Sequence, residues 1–254
     1  MPFLRYAALG DSFTEGVGDH DPQRPNGVRG WADRVAAELA RLEPGAEYAN
    51  LAIRGRKLEP IVAEQVEPAL ALDPDLITLY AGGNDILRPK VDIDALLSTY
   101  DAAVARLTES GARLVLFTAH DPGGWPLFSA LRGRFAIYNE GVREIADRHG
   151  ATIVDFWRID DYRDVRLWDF DRLHMSAAGH QRMAIAVLDA LGVEHGLRPL
   201  EQAPLPDLSP ARRRAENRRW IREFAVPWIG RRLRGTSSGD DLSPRFPEMT
   251  ALGA

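Results

Sequence analysis

The sequence predicts an α/β protein, a three-layer α/β/α sandwich with a central parallel sheet wound in the flavodoxin-like manner. Two observations predict it. Short apolar runs of β-branched and aromatic residues alternate with longer stretches whose apolar residues recur at helical spacing. Glycines and small polar residues then cluster directly after the short runs, at the carboxyl ends of the expected strands, where α/β folds bind ligands. Strand–helix alternation of this kind implies right-handed crossovers and a sheet covered on both faces.

The expected strands are residues 6–9, 47–52, 76–81, 113–119 and 152–156, and the expected helices 31–42, 58–71, 93–110, 131–149 and 177–191. In the third helix, Leu96, Leu97, Tyr100, Val104 and Leu107 make an amphipathic stripe. Gly111 and Gly150 follow two of the helices where a left-handed cap is wanted.

The bulk composition narrows the class. A chain of 254 residues that is 45% hydrophobic can bury a sizeable core. Its net charge of -5 gives no general attraction to nucleic acid, and no nucleic-acid partner is expected. The absence of cysteine excludes disulfides, thiolate metal sites and a cysteine nucleophile. The first residues lack a basic region followed by a long apolar run, and no segment approaches the ~18 apolar residues of a membrane span, so a cytoplasmic location is the expectation.

The pattern changes after about Glu194. Residues 203–210, rich in proline, read as an extended linker, and Ser209 followed by Pro210 is a helix-start signal. Within 211–233, Trp220, Ile221, Phe224, Trp228 and Ile229 form an apolar stripe among arginines, with Pro227 expected to break or kink the helix. From Leu197 to the last residue there are 11 arginines against 7 acids, so this end is basic while the rest is acidic. The polar tail is expected to be disordered. The expected division is therefore an α/β domain at 1–196, a linker and basic amphipathic helix at 197–234, and a tail at 235–254.

The chemistry concentrates in four places. Gly10-Asp11-Ser12-Phe13-Thr14-Glu15-Gly16 follows the first strand, Gly55 the second, Gly82-Gly83-Asn84-Asp85 the third, and Asp171-Arg172-Leu173-His174 precedes the last helix of the domain. A serine hydroxyl is a weak nucleophile until a base takes its proton, and an imidazole near pKa ~6.5 suits that task. Asp171 can accept from the second ring nitrogen of His174 and hold the useful tautomer; Asp169 is the rival. Taken singly, Ser12 could be a helix cap, Gly55 a turn, Asn84 part of an Asx turn, Asp171 a surface ion-pair partner and His174 a packed histidine.

Together, in this order, the four blocks resemble the SGNH hydrolases, also called the GDSL esterase/lipase family, over residues 3–192, with Phe13 where the family often has Leu or Asn. The resemblance implies the SGNH hydrolase fold and a metal-independent serine hydrolase that cleaves carboxylic esters through an acyl-enzyme. It implies Ser12 as nucleophile, His174 as base and Asp171 as its orienter, with an oxyanion hole from the Ser12 N–H, Gly55 and Asn84. Esterase, lysophospholipase, thioesterase and deacetylase activities all remain open.

The loop from Asp121 to Phe128 carries Trp125 and Phe128 and is the expected substrate wall for a small or lipid-like ester. Arg54 and Arg56 flank Gly55, and His120 ends a strand, so each can border the site. No metal-ligand spacing and no phosphate-binding glycine loop is present, so neither metal nor nucleotide cofactor is expected. A second reading is a non-enzymatic module acting through its basic, Trp-bearing carboxyl-terminal segment, on a membrane or partner. A hybrid is an active hydrolase that touches a membrane or forms homo-oligomers through that segment.

Overall fold

The computed structural model describes residues 3–124, 128–234 and 236–251. Six strands form one sheet: β1 (Arg5–Gly10), β2 (Glu47–Asn50), β3 (Leu76–Tyr80), β4 (Arg113–Phe117), β5 (Thr152–Val154) and β6 (Phe246–Ala251), in the order β5-β4-β3-β1-β2-β6. The first five are mutually parallel, with Ala7 opposite Ala49 on one side and Ile77 on the other. The helices are α1 (Ser12–Glu15), α2 (Trp31–Leu42), α3 (Leu58–Ile61), α4 (Glu67–Ala71), α5 (Gly83–Ile86), α6 (Ile93–Thr108), α7 (Arg132–His149), α8 (Ala177–Leu191), α9 (Pro210–Trp220) and α10 (Val226–Arg234).

The strand period of two divides the core into the expected layers. Ala7, Leu9, Ile77, Leu79, Leu114 and Leu116 point to one face, where α6 and α7 bury Tyr100, Val104, Tyr138 and Val142. Tyr6, Ala8, Val115 and Phe117 point to the other, against Trp31 and Val35 of α2 and Met183 and Val187 of α8. Both faces are covered, so the buried strands read as continuous apolar runs.

Two expectations are corrected at the carboxyl-terminal end. Instead of a disordered tail, residues 246–251 form β6 and pair with β2, antiparallel, so the sheet is parallel except at this edge. The reason is a buried anchor: Arg245 bonds Asp33 (2.7 Å) and the carbonyls of Glu15 (3.0 Å) and Pro25 (3.1 Å), and its side chain is fully buried. Composition alone favours disorder, but a paired and hydrogen-bonded charge fixes the chain.

The second correction concerns Pro227, where the helix is distorted but not broken. The segment 221–225 widens into a π-turn that joins α9 to α10. Proline lacks an N–H and its ring collides with the carbonyl four residues back; a wider turn just before it relieves both problems. The same device recurs at 62–66, before Pro68, and makes α3 and α4 one continuous rod.

Candidate active site

β1 delivers the first group. Its last residue, Gly10, has φ +147°, and a Cβ there would lie 2.5 Å from the Tyr80 carbonyl oxygen, so the strand end tolerates only glycine. Gln65 satisfies this buried glycine by accepting from the Gly10 N–H (2.8 Å) and donating to its carbonyl (3.0 Å). Asp11 then caps α1, accepting from the Phe13 N–H at 3.0 Å. The capping role falls to Asp11, and the Ser12 hydroxyl is free to bond elsewhere.

It bonds His174. Ser12 Oγ lies 3.0 Å from His174 Nε2, and His174 Nδ1 lies 2.5 Å from Asp171 Oδ2. A carboxylate can only accept, so it places the proton on Nδ1 and leaves Nε2 to accept from the serine hydroxyl. The turn that carries these groups is tight: Arg172 sits at φ +58°, and the N–H groups of Leu173 (2.8 Å) and His174 (2.9 Å) both donate to Asp171 Oδ1. The rival Asp169 faces His20 at 3.6 Å instead.

Burial opposes charge on Asp171, but the charge and hydrogen bond of His174 and the two backbone donors outweigh it and bring its carboxyl down to about 2. Burial likewise disfavours charge on His174, and Asp171, aided by Asp11 and Asp169, more than offsets this and raises it above the ordinary histidine range. Asp11 differs: burial pushes it up to about 7, against the Phe13 N–H, His174 and the Asn84 amide, with Asp85 adding repulsion.

The remaining sequence-predicted groups converge on the same sheet edge. The Asn84 amide, on α5, donates to Asp11 Oδ2 (2.9 Å) and to the Arg56 carbonyl (3.1 Å). Gly55 has φ +81°, and the residue before it is anchored by Glu15, which accepts from the Arg54 N–H at 2.6 Å and pairs with the Arg54 guanidinium at 2.7 Å. Arg54 is therefore an internal strut, and Arg56 pairs with Glu64 at 3.0 Å. Ser12, Gly55, Asn84, Asp171 and His174 line one cavity of about 290 Å³.

Phe128 also lines this cavity, as expected for the loop that carries it, while Trp125 lies outside the described residues. His120 borders it too, packed against Trp168 (4.6 Å between centroids) and Phe156, and its burial lowers it to about 4.

Sequence reasoning missed the opposite wall. Trp220, Phe224 and Trp228, expected as a stripe with no assigned place, line the cavity, as do Thr236, Ser237 and Ser238. The signal was present in the spacing, since residues 220, 224 and 228 fall on one helical face; the target of that face was not readable.

Comparison with known proteins bears on the family and the fold. The signature of the GDSL-like Lipase/Acylhydrolase family matches residues 8–182. "Lipase 2" of Streptomyces coelicolor is 28% identical over an alignment that covers 76% of this chain and 88% of the relative. Among solved structures, LAE5, an α/β hydrolase enzyme from the metagenome of Lake Arreo, Spain, superimposes with TM-score 0.61 at 25% identity, covering 74% of this chain and 94% of that one. The acetylxylan esterase Axe2 of Geobacillus stearothermophilus shares the fold at TM-score 0.61 and 23% identity, with 75% of this chain and 94% of its own covered. With the family signature spanning β1 to α8 and the sheet matching these folds, the chain belongs to the GDSL-like lipase/acylhydrolase family of ester hydrolases.

Proposed function

We propose that this protein is a serine esterase that hydrolyses small carboxylic esters through an acyl-enzyme, without a metal. The observation that carries the reading is the unbroken chain Ser12 Oγ, His174 Nε2, His174 Nδ1, Asp171 Oδ2, with links of 3.0 and 2.5 Å. Ser12 Oγ attacks the ester carbonyl carbon as its proton passes to His174 Nε2. The imidazolium so formed is stabilised by Asp171, which stays ionised. Collapse breaks the bond to the alcohol oxygen, which takes the proton from His174. Water then repeats the sequence on the acyl-serine and releases the acid.

The negative charge on the carbonyl oxygen needs donors. The Ser12 N–H lies at the amino terminus of α1, where a helix leaves its first donors unpaired. Gly55 exposes its backbone to the cavity, and the Asn84 amide can exchange its Arg56 carbonyl for the oxyanion. Asp11 steers that amide from the other side. A donor of this kind is worth about 3–4 kcal/mol of transition-state stabilisation.

Intact mass after fluorophosphonate treatment tests the reading. Wild type takes one adduct, Ser12→Ala takes none, and His174→Ala reacts at least a hundredfold more slowly. An adduct on Ser12→Ala, or an unreactive wild type that is folded, removes Ser12 from the mechanism.

A further inference from the structure

The wall missed by sequence reasoning is built by a segment that the family signature does not reach, since that signature ends at residue 182. The segment crosses the site from one side of Ser12 to the other. At one end the Trp220 Nε1–H donates to the Asp171 carbonyl (2.9 Å), and the Arg172 guanidinium lies 4.9 Å over the Trp220 ring while also donating to Asn217 Oδ1 (2.8 Å). At the other end Ser237 Oγ donates to the Arg54 carbonyl (3.1 Å) and lies 1.9 Å from where a Cβ on Gly55 would be. Between them Phe224 packs on Phe170 (5.2 Å) and Trp228 on Phe128 (5.8 Å).

The helix is sided. Trp220, Phe224 and Trp228 face the cavity, whereas Ile221 (48% exposed) and Val226 (59%) face outward. Its inner face, with Phe128 and Phe135, gives an apolar lining to the same cavity that Ser12 lines. At about 290 Å³ the whole cavity lies at the lower end of the roughly 300–1,000 Å³ of small-molecule sites.

We propose that Trp220, Phe224 and Trp228, with Thr236, Ser237 and Ser238, form the specificity-determining wall of the ester site, and that Phe224 and Trp228 restrict it to esters bearing a compact apolar group. The inference rests on the Ser12 reading above. A group that outgrows the compartment collides with rings that are held by their own partners on the catalytic turn and the Phe128 loop. In an apolar pocket, each methylene gained or lost changes discrimination by about 10- to 200-fold.

The test measures kcat/KM on two series, p-nitrophenyl acyl esters and linear alkyl acetates, each lengthened stepwise, for the full chain and three variants. Phe224→Ala and Trp228→Ala enlarge the compartment, and the ratio of long to short ester should rise about tenfold or more in at least one series, carried by KM. Ala225→Leu adds bulk at a cavity-lining position that leaves no hole behind, and should shift the same ratio the other way. Fluorophosphonate labelling of Ser12 in each variant reports that the catalytic groups are assembled.

Opposite shifts from enlarging and filling variants establish the wall. Ratios unchanged in all three, with labelling intact, overturn it and leave the segment a bystander. A folded wild type that cannot be labelled defeats the nucleophile reading itself, and the inference falls with it.

Discussion

The two halves of this active site are built in different ways. The catalytic edge, within residues 8–182, takes each group from a strand end or a turn in which the motif explains its own geometry: Gly10 and Asp11 set up Ser12, and Asp171 is bonded to the N–H groups of Leu173 and His174 beside it. The carboxyl-terminal wall has no such local logic. Ser237 meets Arg54 across 183 positions, Trp220 meets Asp171 across 49, and Arg245 reaches Asp33 across 212. The Asp171–His174 turn and the Asp11 cap are set by neighbours in sequence, whereas the carboxyl-terminal wall is assembled by long-range docking.

That contrast predicts different responses to substitution, the largest at the catalytic edge. Asp171→Asn keeps the shape but cannot hold the neutral tautomer of His174, so turnover should drop by about 10⁴, a larger effect than the accompanying loss of stability of about 2–3 kcal/mol. Its pH profile adds a sign. On the proposed mechanism His174 must be neutral to act as base, and its pKa is raised, so kcat/KM should climb with pH through a value above the ordinary histidine value. Removing the Asp171 charge removes the main cause of that rise, and the limb should move to lower pH. A limb that stays in place would mean that another group is titrating, Asp11 at about 7 being the nearest.

Arg245→Met should invert the pattern. It leaves the Asp33 carboxylate buried without its cation, which costs about 3–5 kcal/mol of stability by denaturant unfolding. If Arg245→Met instead lowers turnover and leaves the unfolding midpoint alone, the distinction between a catalytic half and a docked half is wrong.

Trp220→Phe probes the seam between the halves and should have the smallest effect. It keeps a ring under Arg172 but deletes the hydrogen bond to the Asp171 carbonyl, worth about 0.5–1.5 kcal/mol. A fall in turnover of three- to tenfold, with a displaced His174 limb in the pH profile, would make Trp220 a positioning residue for the catalytic turn. A lowered melting temperature with an unmoved pH profile would mean that the contact only seats the helix.

Legibility in the sequence follows the same line. The five parallel strands and five long helices of the family-matched region were readable because their apolar residues repeat at the strand or helix period, and burial on both faces requires that repetition. Ser12, Gly55, Asn84, Asp171 and His174 were readable as a set from their order, and the fold brings them to one cavity. Phe128 was readable as a wall residue from its loop alone. β6 was not, because Phe246–Ala251 has a weak strand pattern, with all six of its residues half-buried or exposed, and is held by Arg245. Pro227 misled because proline in a helix is ordinarily disruptive, and the compensating π-turn leaves no mark in the residue types.

By itself the sequence determined the α/β class, the family and the identity of the groups that converge at the strand ends. These depend on periodicity and on motifs a few residues long, both of which are properties of the chain read in order. Tertiary structure alone decided that the basic carboxyl-terminal helix turns its aromatic face onto the catalytic turn and that the tail returns to the sheet edge. It also decided that Gly55 is packed by Ser237. Those outcomes depend on which buried surfaces fit one another and on whether a buried charge finds its partner, and both are settled only when distant segments meet.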